Sequence, residues 1–129
     1  MNIRKVTLTA LLSVSLLAAC ATSPTGQGAP ASFAGDALVG SNGMTLYTFD
    51  KDIAGSGKSV CNGPCAGNWP PLLAEINDQP TGDWSLVTRD DGKKQWAFKG
   101  KPLYYWIKDQ KPGDRSGDGV NNAWRLARE

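Results

Sequence analysis

The chain contains no histidine among its 129 residues. That absence excludes Ser-His-Asp and Cys-His catalytic centres. It also removes the commonest general base and the commonest zinc and haem ligand. Cysteine is scarce, at three residues, and one of them lies at position 20. The two that remain make a poor zinc site without imidazole partners. An excess of one charge is missing as well. The formal net charge is +2, but Arg4 and Lys5 lie in a leader-like segment, and the rest carries 12 basic and 12 acidic residues. A neutral domain does not displace counterions from nucleic acid, nor does it form a polybasic membrane patch. The sequence has no complete catalytic motif, so it predicts no catalytic residues, no cofactor and no metal.

What is present begins with an export signal. Met1 to Lys5 is positively charged, Val6 to Ala19 is an unbroken run of 14 largely apolar residues, and Cys20 follows. The run is short for a spanning helix, which needs about 20 apolar residues, and fits a secretory signal peptide. Leu17-Ala18-Ala19-Cys20 resembles the bacterial lipobox. The resemblance implies a diacylglycerol on the Cys20 thiol, cleavage after residue 19 and acylation of the new amino terminus. The expected partner is therefore a membrane, reached through the lipid. Two or more acyl chains give stable anchoring, at about 0.8 kcal/mol per buried methylene. Residues 20–32 are uncharged and rich in Ala, Ser, Thr, Gly and Pro, which predicts a flexible tether. The residue after the cysteine is Ala21 rather than aspartate, which implies the outer membrane in a Gram-negative host. In a Gram-positive host the place is the outer leaflet of the cell membrane.

Residues 33–129 form the folded part, enough for one domain. Fifteen glycines and eight prolines favour short strands and frequent turns over long helices. Gly43-Met44-Thr45-Leu46-Tyr47-Thr48-Phe49-Asp50-Lys51-Asp52 returns as Gly100-Lys101-Pro102-Leu103-Tyr104-Tyr105-Trp106-Ile107-Lys108-Asp109, at a constant offset of 57. Trp69 and Trp124 close the two units, which span about 35–73 and 93–127. Two copies are too few for a solenoid and predict one domain with internal pseudo-symmetry. Asn42-Gly43, Asp91-Gly92 and Gly100 lie between apolar runs, as hairpin turns do. The runs are Ala37–Val39 and Met44–Phe49, Ser85–Arg89 and Gln95–Phe98, and Leu103–Ile107. The reading is an all-β fold of short antiparallel strands, with a short helix near Cys65–Trp69.

Tyr-x-aromatic-x-x-Asp is the repeated motif: Tyr47, Phe49, Asp52 and Tyr104, Trp106, Asp109. On a strand, each tyrosine shares a face with its aromatic partner. Each aspartate falls at a strand end, placed to bond turn N–H groups or a tyrosine hydroxyl. Core and turn hardware is the first reading, and an aromatic ligand shelf the second. With Cys61-Asn62-Gly63-Pro64-Cys65, Trp69-Pro70-Pro71-Leu72 and Lys111-Pro112-Gly113-Asp114, the motif is similar to that of secreted bacterial lipoproteins bearing a repeated Tyr-x-(Phe/Trp/Tyr)-x-x-Asp sequence, a secreted repeat of unknown function. The resemblance spans nearly all of residues 33–128 and implies fold and export, without an activity. Family members often carry histidine after the last tryptophan, where this chain has Arg125.

The remaining candidates are few. Cys61 and Cys65 form an even pair in an exported domain, and a structural disulfide is the simplest outcome. The alternative is a thiol-disulfide redox pair, although C-x3-C is not the thioredoxin-like spacing. Gly55-Ser56-Gly57-Lys58-Ser59 lacks the first glycine of a P-loop, because position 52 is Asp52, and reads as a solvated loop. Asp114-Arg115-Ser116-Gly117-Asp118-Gly119 matches the start of a calcium loop, but its twelfth position is Arg125. Three functional readings follow: a non-enzymatic binding or accessory lipoprotein whose protein or small-molecule partner the sequence does not name, a thiol-disulfide redox protein, and a structural envelope protein.

Overall fold

The computed structural model describes residues 10, 12–15 and 28–129. Cys20, the cleavage position and most of the tether lie outside the described residues. The fold is built from short antiparallel strands in small sheets, with one short helix. Strand β1 is Ala31–Ala34, β2 Ala37–Gly40 and β3 Tyr47–Phe49. Helix α1, Pro64–Asn68, has proline in its first turn, where the missing N–H is not needed. Next come β4 Trp84–Thr88, β5 Lys94–Phe98 and β6 Lys101–Pro102. A 3-10 turn at Val120–Asn122 leads into β7, Trp124–Leu126. Strand β1 pairs with β2, β3 with β7, and β4 with β5, which also pairs with β6. Strand β1 starts at Ala31, so the last two residues of the expected tether belong to the sheet. Ala31 is small enough to bury there, at 7% exposure.

The three turns form where glycine permits them. Gly43, Gly92 and Gly100 all have positive φ. At Gly100 the restriction is double, because a Cβ there would sit 2.6 Å from the Gly55 backbone nitrogen. The expected strand Leu103–Ile107 is not a continuous ladder strand. Its backbone divides between two neighbours: Tyr104 bridges Tyr47 on one side and Pro71 on the other. Pro70 and Pro71 have no N–H to donate, so regular pairing breaks off beside them.

The two repeats are interleaved. Leu46 N–H donates to Leu38 C=O, Leu38 N–H to Ala127 C=O and Ala127 N–H to Leu46 C=O, all at 2.8–2.9 Å. The same ring recurs at the other end: Leu103 N–H donates to Trp96 C=O, Trp96 N–H to Leu72 C=O and Leu72 N–H to Leu103 C=O, at 2.8–3.0 Å. Thus the tail of the first repeat, at Leu72, completes the hairpin of the second. The tail of the second, at Ala127, completes the hairpin of the first. At the centre Tyr47 N–H donates to Tyr104 C=O at 2.8 Å and Tyr104 N–H to Tyr47 C=O at 3.0 Å. This hydrogen-bonded antiparallel pair marks the pseudo-two-fold axis.

Two apolar clusters result. One gathers Leu38, Leu46, Leu72, Trp96, Leu103 and Ala127. The other gathers Tyr47, Cys61, Trp69, Tyr104, Trp124 and Leu126, and it carries the candidate site.

Candidate functional site

The motif aspartates are exchanged between repeats. Tyr47 donates its hydroxyl to Asp109 Oδ2 at 2.6 Å, and Tyr104 donates to Asp52 Oδ2 at 2.5 Å. Each carboxylate also fastens its own loop. Asp52 accepts Val60 N–H at 2.8 Å, and Asp109 accepts both the N–H and the hydroxyl of Ser116, at 3.0 and 2.6 Å. Both tyrosines are fully buried. Burial and the adjacent carboxylate push both phenols well above the usual tyrosine range. Burial likewise raises Asp52 above its ordinary value, against the lowering effect of the Tyr104 and Val60 hydrogen bonds.

Four aromatic rings stack across the pseudo-axis. Trp69 and Trp124 lie parallel at the centre, 3.7 Å apart and inclined by 4°. Phe49 covers the outer face of Trp124 at 4.3 Å, and Trp106 stacks on Trp69 at 4.0 Å. Tyr47 meets Trp69 edge-on at 5.5 Å, and Tyr104 meets Trp124 edge-on at 5.2 Å. The two edge-on pairs are each worth about 0.5–1.5 kcal/mol beyond area burial. The motif residues are therefore brought together, with the tyrosines as core and Phe49 and Trp106 as half-buried ends of the stack.

One half of the site has a feature without a counterpart. Arg89 is 4% exposed, and its guanidinium donates to Ser59 Oγ at 3.0 Å, Gln95 Oε1 at 2.8 Å and Cys61 C=O at 2.7 Å. Ser59 in turn lies 2.6 Å from the Tyr104 hydroxyl oxygen. Because Tyr104 donates to Asp52, Ser59 is the donor in that contact. A polar chain thus runs Arg89, Ser59, Tyr104, Asp52, from a buried cation to a half-buried anion. Ser59, expected in a solvated loop, is buried at 4% exposure, drawn in by Tyr104 and Arg89. A signal for it did exist: Ser59 and Ser116 stand at the same 57-residue offset as the motif itself. Arg89 carried no such signal.

Cys61 and Cys65 are joined, with Cα atoms 5.2 Å apart. Cys61 is buried, while Cys65, Phe49, Trp69 and Trp124 line a cleft of about 330 Å³. Lys51, Asn68 and Asn121 supply its polar wall. Asn121 and Asn122 both have φ of 52°, a left-handed conformation that asparagine tolerates better than most residues. Trp106 is not part of this lining. The Asp114–Gly119 segment spends its carboxylates locally: Asp114 accepts from the Gln110 and Lys111 N–H groups, and Asp118 from Leu126 N–H. Hydrogen bonds from the Gln110 N–H and from Lys111 hold the half-buried Asp114 carboxyl below the usual carboxylate range.

The model of a family described as a secreted repeat of unknown function matches residues 32–73 and 85–128. These two segments coincide with the two interleaved halves of the fold. No curated protein and no solved structure matches the chain.

Proposed function

Because the chain belongs to this family of secreted repeats, we propose that it is an exported lipoprotein, anchored through Cys20, whose interleaved domain is a non-enzymatic binding module. The observation that carries the reading is the cleft beside the aromatic stack. Phe49, Trp69, Trp124 and Cys65 offer apolar contact, and Lys51, Asn68 and Asn121 offer polar groups around it. Few convergent polar groups on an aromatic wall are what small-ligand sites use. The tether sets this cleft off the membrane, within reach of envelope components.

Two measurements test the reading. Metabolic labelling with an alkyne fatty acid tags the wild-type chain and leaves Cys20→Ser untagged and released from membranes. Titration of solubilised envelope fractions quenches or shifts the tryptophan fluorescence, and Asn121→Asp weakens the response. A labelled Cys20→Ser protein removes the anchor, and an unresponsive domain that turns over a substrate removes the binding module.

A second reading, thiol-disulfide exchange, is favoured by one feature: Cys65 opens on the cleft while its partner Cys61 is buried. Redox equilibration with glutathione decides it. A potential well above about −300 mV supports exchange, and one below that value leaves the disulfide structural.

A further inference from the structure

Burial explains why the tyrosines and tryptophans are apolar neighbours. It does not explain why each buried phenol is matched with a carboxylate, or why the indoles lie parallel rather than tilted. Together these features have a chemical consequence. Removing an electron from a buried phenol creates a cation in a medium that solvates it badly. The loss becomes feasible when the proton leaves with the electron, which requires a base already in hydrogen-bond contact. Asp109 is such a base, 2.6 Å from the Tyr47 oxygen. Electron exchange between rings in van der Waals contact is fast, and the rings here form a continuous path. It runs from half-exposed Trp106 to Trp69 at 4.0 Å, and from Trp69 to Tyr47 at 5.5 Å.

The pseudo-symmetry is broken by Arg89. Its cation is two hydrogen bonds from the Tyr104 oxygen, through Ser59. A nearby positive charge opposes loss of an electron from Tyr104. Among the described residues, the Tyr47 oxygen instead accepts a backbone N–H alone, from Gly117 at 3.2 Å. The third tyrosine, Tyr105, has its hydroxyl beside Asn42 rather than a carboxylate.

We propose that the aromatic core is a one-electron relay, which takes up an oxidising equivalent at Trp106 and holds it as a neutral radical on Tyr47, with the proton on Asp109. The co-reactant is a strong one-electron oxidant, a radical or a high-valent metal centre. It gains the electron that leaves Trp106. Trp69 refills Trp106, and Tyr47 refills Trp69. The Tyr47 O–H bond breaks and an O–H bond forms on Asp109. A one-electron reductant such as ascorbate reverses both steps. Lys108, exposed and with its ammonium 5.7 Å from the Trp106 ring centre, draws an anionic oxidant to the entry point; solvated, it opposes electron loss there less than buried Arg89 does at Tyr104.

The test uses the whole mature chain, hexachloroiridate(IV) as oxidant, and freeze-quenched electron paramagnetic resonance. Protein carrying ring-deuterated tyrosine is expected to show a narrowed radical spectrum, and protein carrying deuterated tryptophan an unchanged one. Tyr47→Phe loses the wild-type hyperfine pattern and Tyr105→Phe keeps it. Trp106→Phe slows the consumption of the oxidant. A spectrum that narrows with deuterated tryptophan, survives Tyr47→Phe or disappears in Tyr105→Phe overturns the proposal. The two labelling experiments need no variant, so they decide between a tyrosine and a tryptophan radical even where Tyr47→Phe fails to fold. Tyr104→Phe is expected to keep the wild-type pattern, and its loss there overturns the assignment to Tyr47.

Discussion

Asp109 of the second repeat accepts the hydroxyl of Tyr47 of the first, at 2.6 Å and across 62 positions of sequence. The reciprocal bond joins Tyr104 to Asp52. Each repeat therefore lacks the acceptor for its own tyrosine, as it lacks the tail that completes its own hairpin. Neither half can bury its core alone, which makes the two repeats one cooperative unit.

Tyr47→Phe and Tyr104→Phe each leave one carboxylate oxygen, Oδ2 of Asp109 or of Asp52, without its phenol donor. The expected loss is about 1–3 kcal/mol, the usual penalty for an unsatisfied buried group. Denaturant unfolding measures it. A double-mutant cycle between Tyr47→Phe and Asp109→Asn should show strong coupling, while Tyr47→Phe with Asp52→Asn should be nearly additive. Equal coupling in both cycles would contradict the exchange.

Arg89→Met removes the donor that holds Ser59, Gln95 and the Cys61 carbonyl. With the Asn62 Oδ1 contact at 3.3 Å, it leaves four oxygens without that partner, and a loss of about 3 kcal/mol or more is expected from several lost hydrogen bonds to a charged group. Because Arg89 fixes the Cys61 backbone, the variant should also lose its disulfide faster under dithiothreitol. Thiol trapping followed over time reads this directly.

Alkaline pH should unfold the domain early. All three tyrosines have folded pKa values raised above the ordinary 10.0. The folded chain keeps protons that the unfolded chain releases. Their stabilisation is full below pH 10 and declines as pH rises beyond it, by up to about 1.4 kcal/mol per pH unit for each tyrosine. Near pH 10, ultraviolet titration should show less tyrosinate in the native protein than in the unfolded chain, where each tyrosine is about half ionised. Asp52 acts in the acid range with the same sign. Its folded pKa is raised above 3.8, so its contribution is full below that value and is lost as pH rises through the folded one.

Reduction of Cys61–Cys65, or the double serine variant, should leave a folded but weaker domain. The disulfide closes a loop of five residues, for which chain entropy predicts about 2 kcal/mol. Thermal melts with and without reductant test this. Complete unfolding on reduction would mean that the loop anchors more of the core than its length implies.

Gly117→Ala places a Cβ 2.8 Å from two ring carbons of Tyr47 and 3.0 Å from Trp69. Backbone or ring must move, and overpacking of this kind costs about 1–3 kcal/mol. The near-ultraviolet circular dichroism of the stacked tryptophans should change with it. Gly113→Ala, where a Cβ meets nothing but φ is positive, should leave that signal intact.

The hairpin turns at Gly43, Gly92 and Gly100, the helix beside Cys65 and the two-fold repetition were all legible, because each depends on residues a few positions apart. Leu103–Ile107 read as a strand and is not one in the regular sense, since its pairing is set by Pro70 and Pro71, some 33 positions away. The tyrosine–aspartate bond was legible as a possibility, but not the identity of the partner. Ser59 was hidden by a glycine-rich neighbourhood that looks solvated. Arg89 was hidden by its type, because an arginine at the end of a strand is ordinarily exposed.

The sequence by itself determined the all-β class and the pseudo-repeat, and it alone carries the proposal of an export signal with lipidation at Cys20. Local chemistry and spacing are sufficient for each of these. The tertiary structure decided that the repeats trade tails and aspartates, that Trp69 and Trp124 meet face to face, and that Tyr47 and Tyr104 are core. Those outcomes depend on which of two equivalent partners is within reach once the chain is folded. Because the repeats carry the same residues, no local signal distinguishes the partner in the same repeat from the partner in the other.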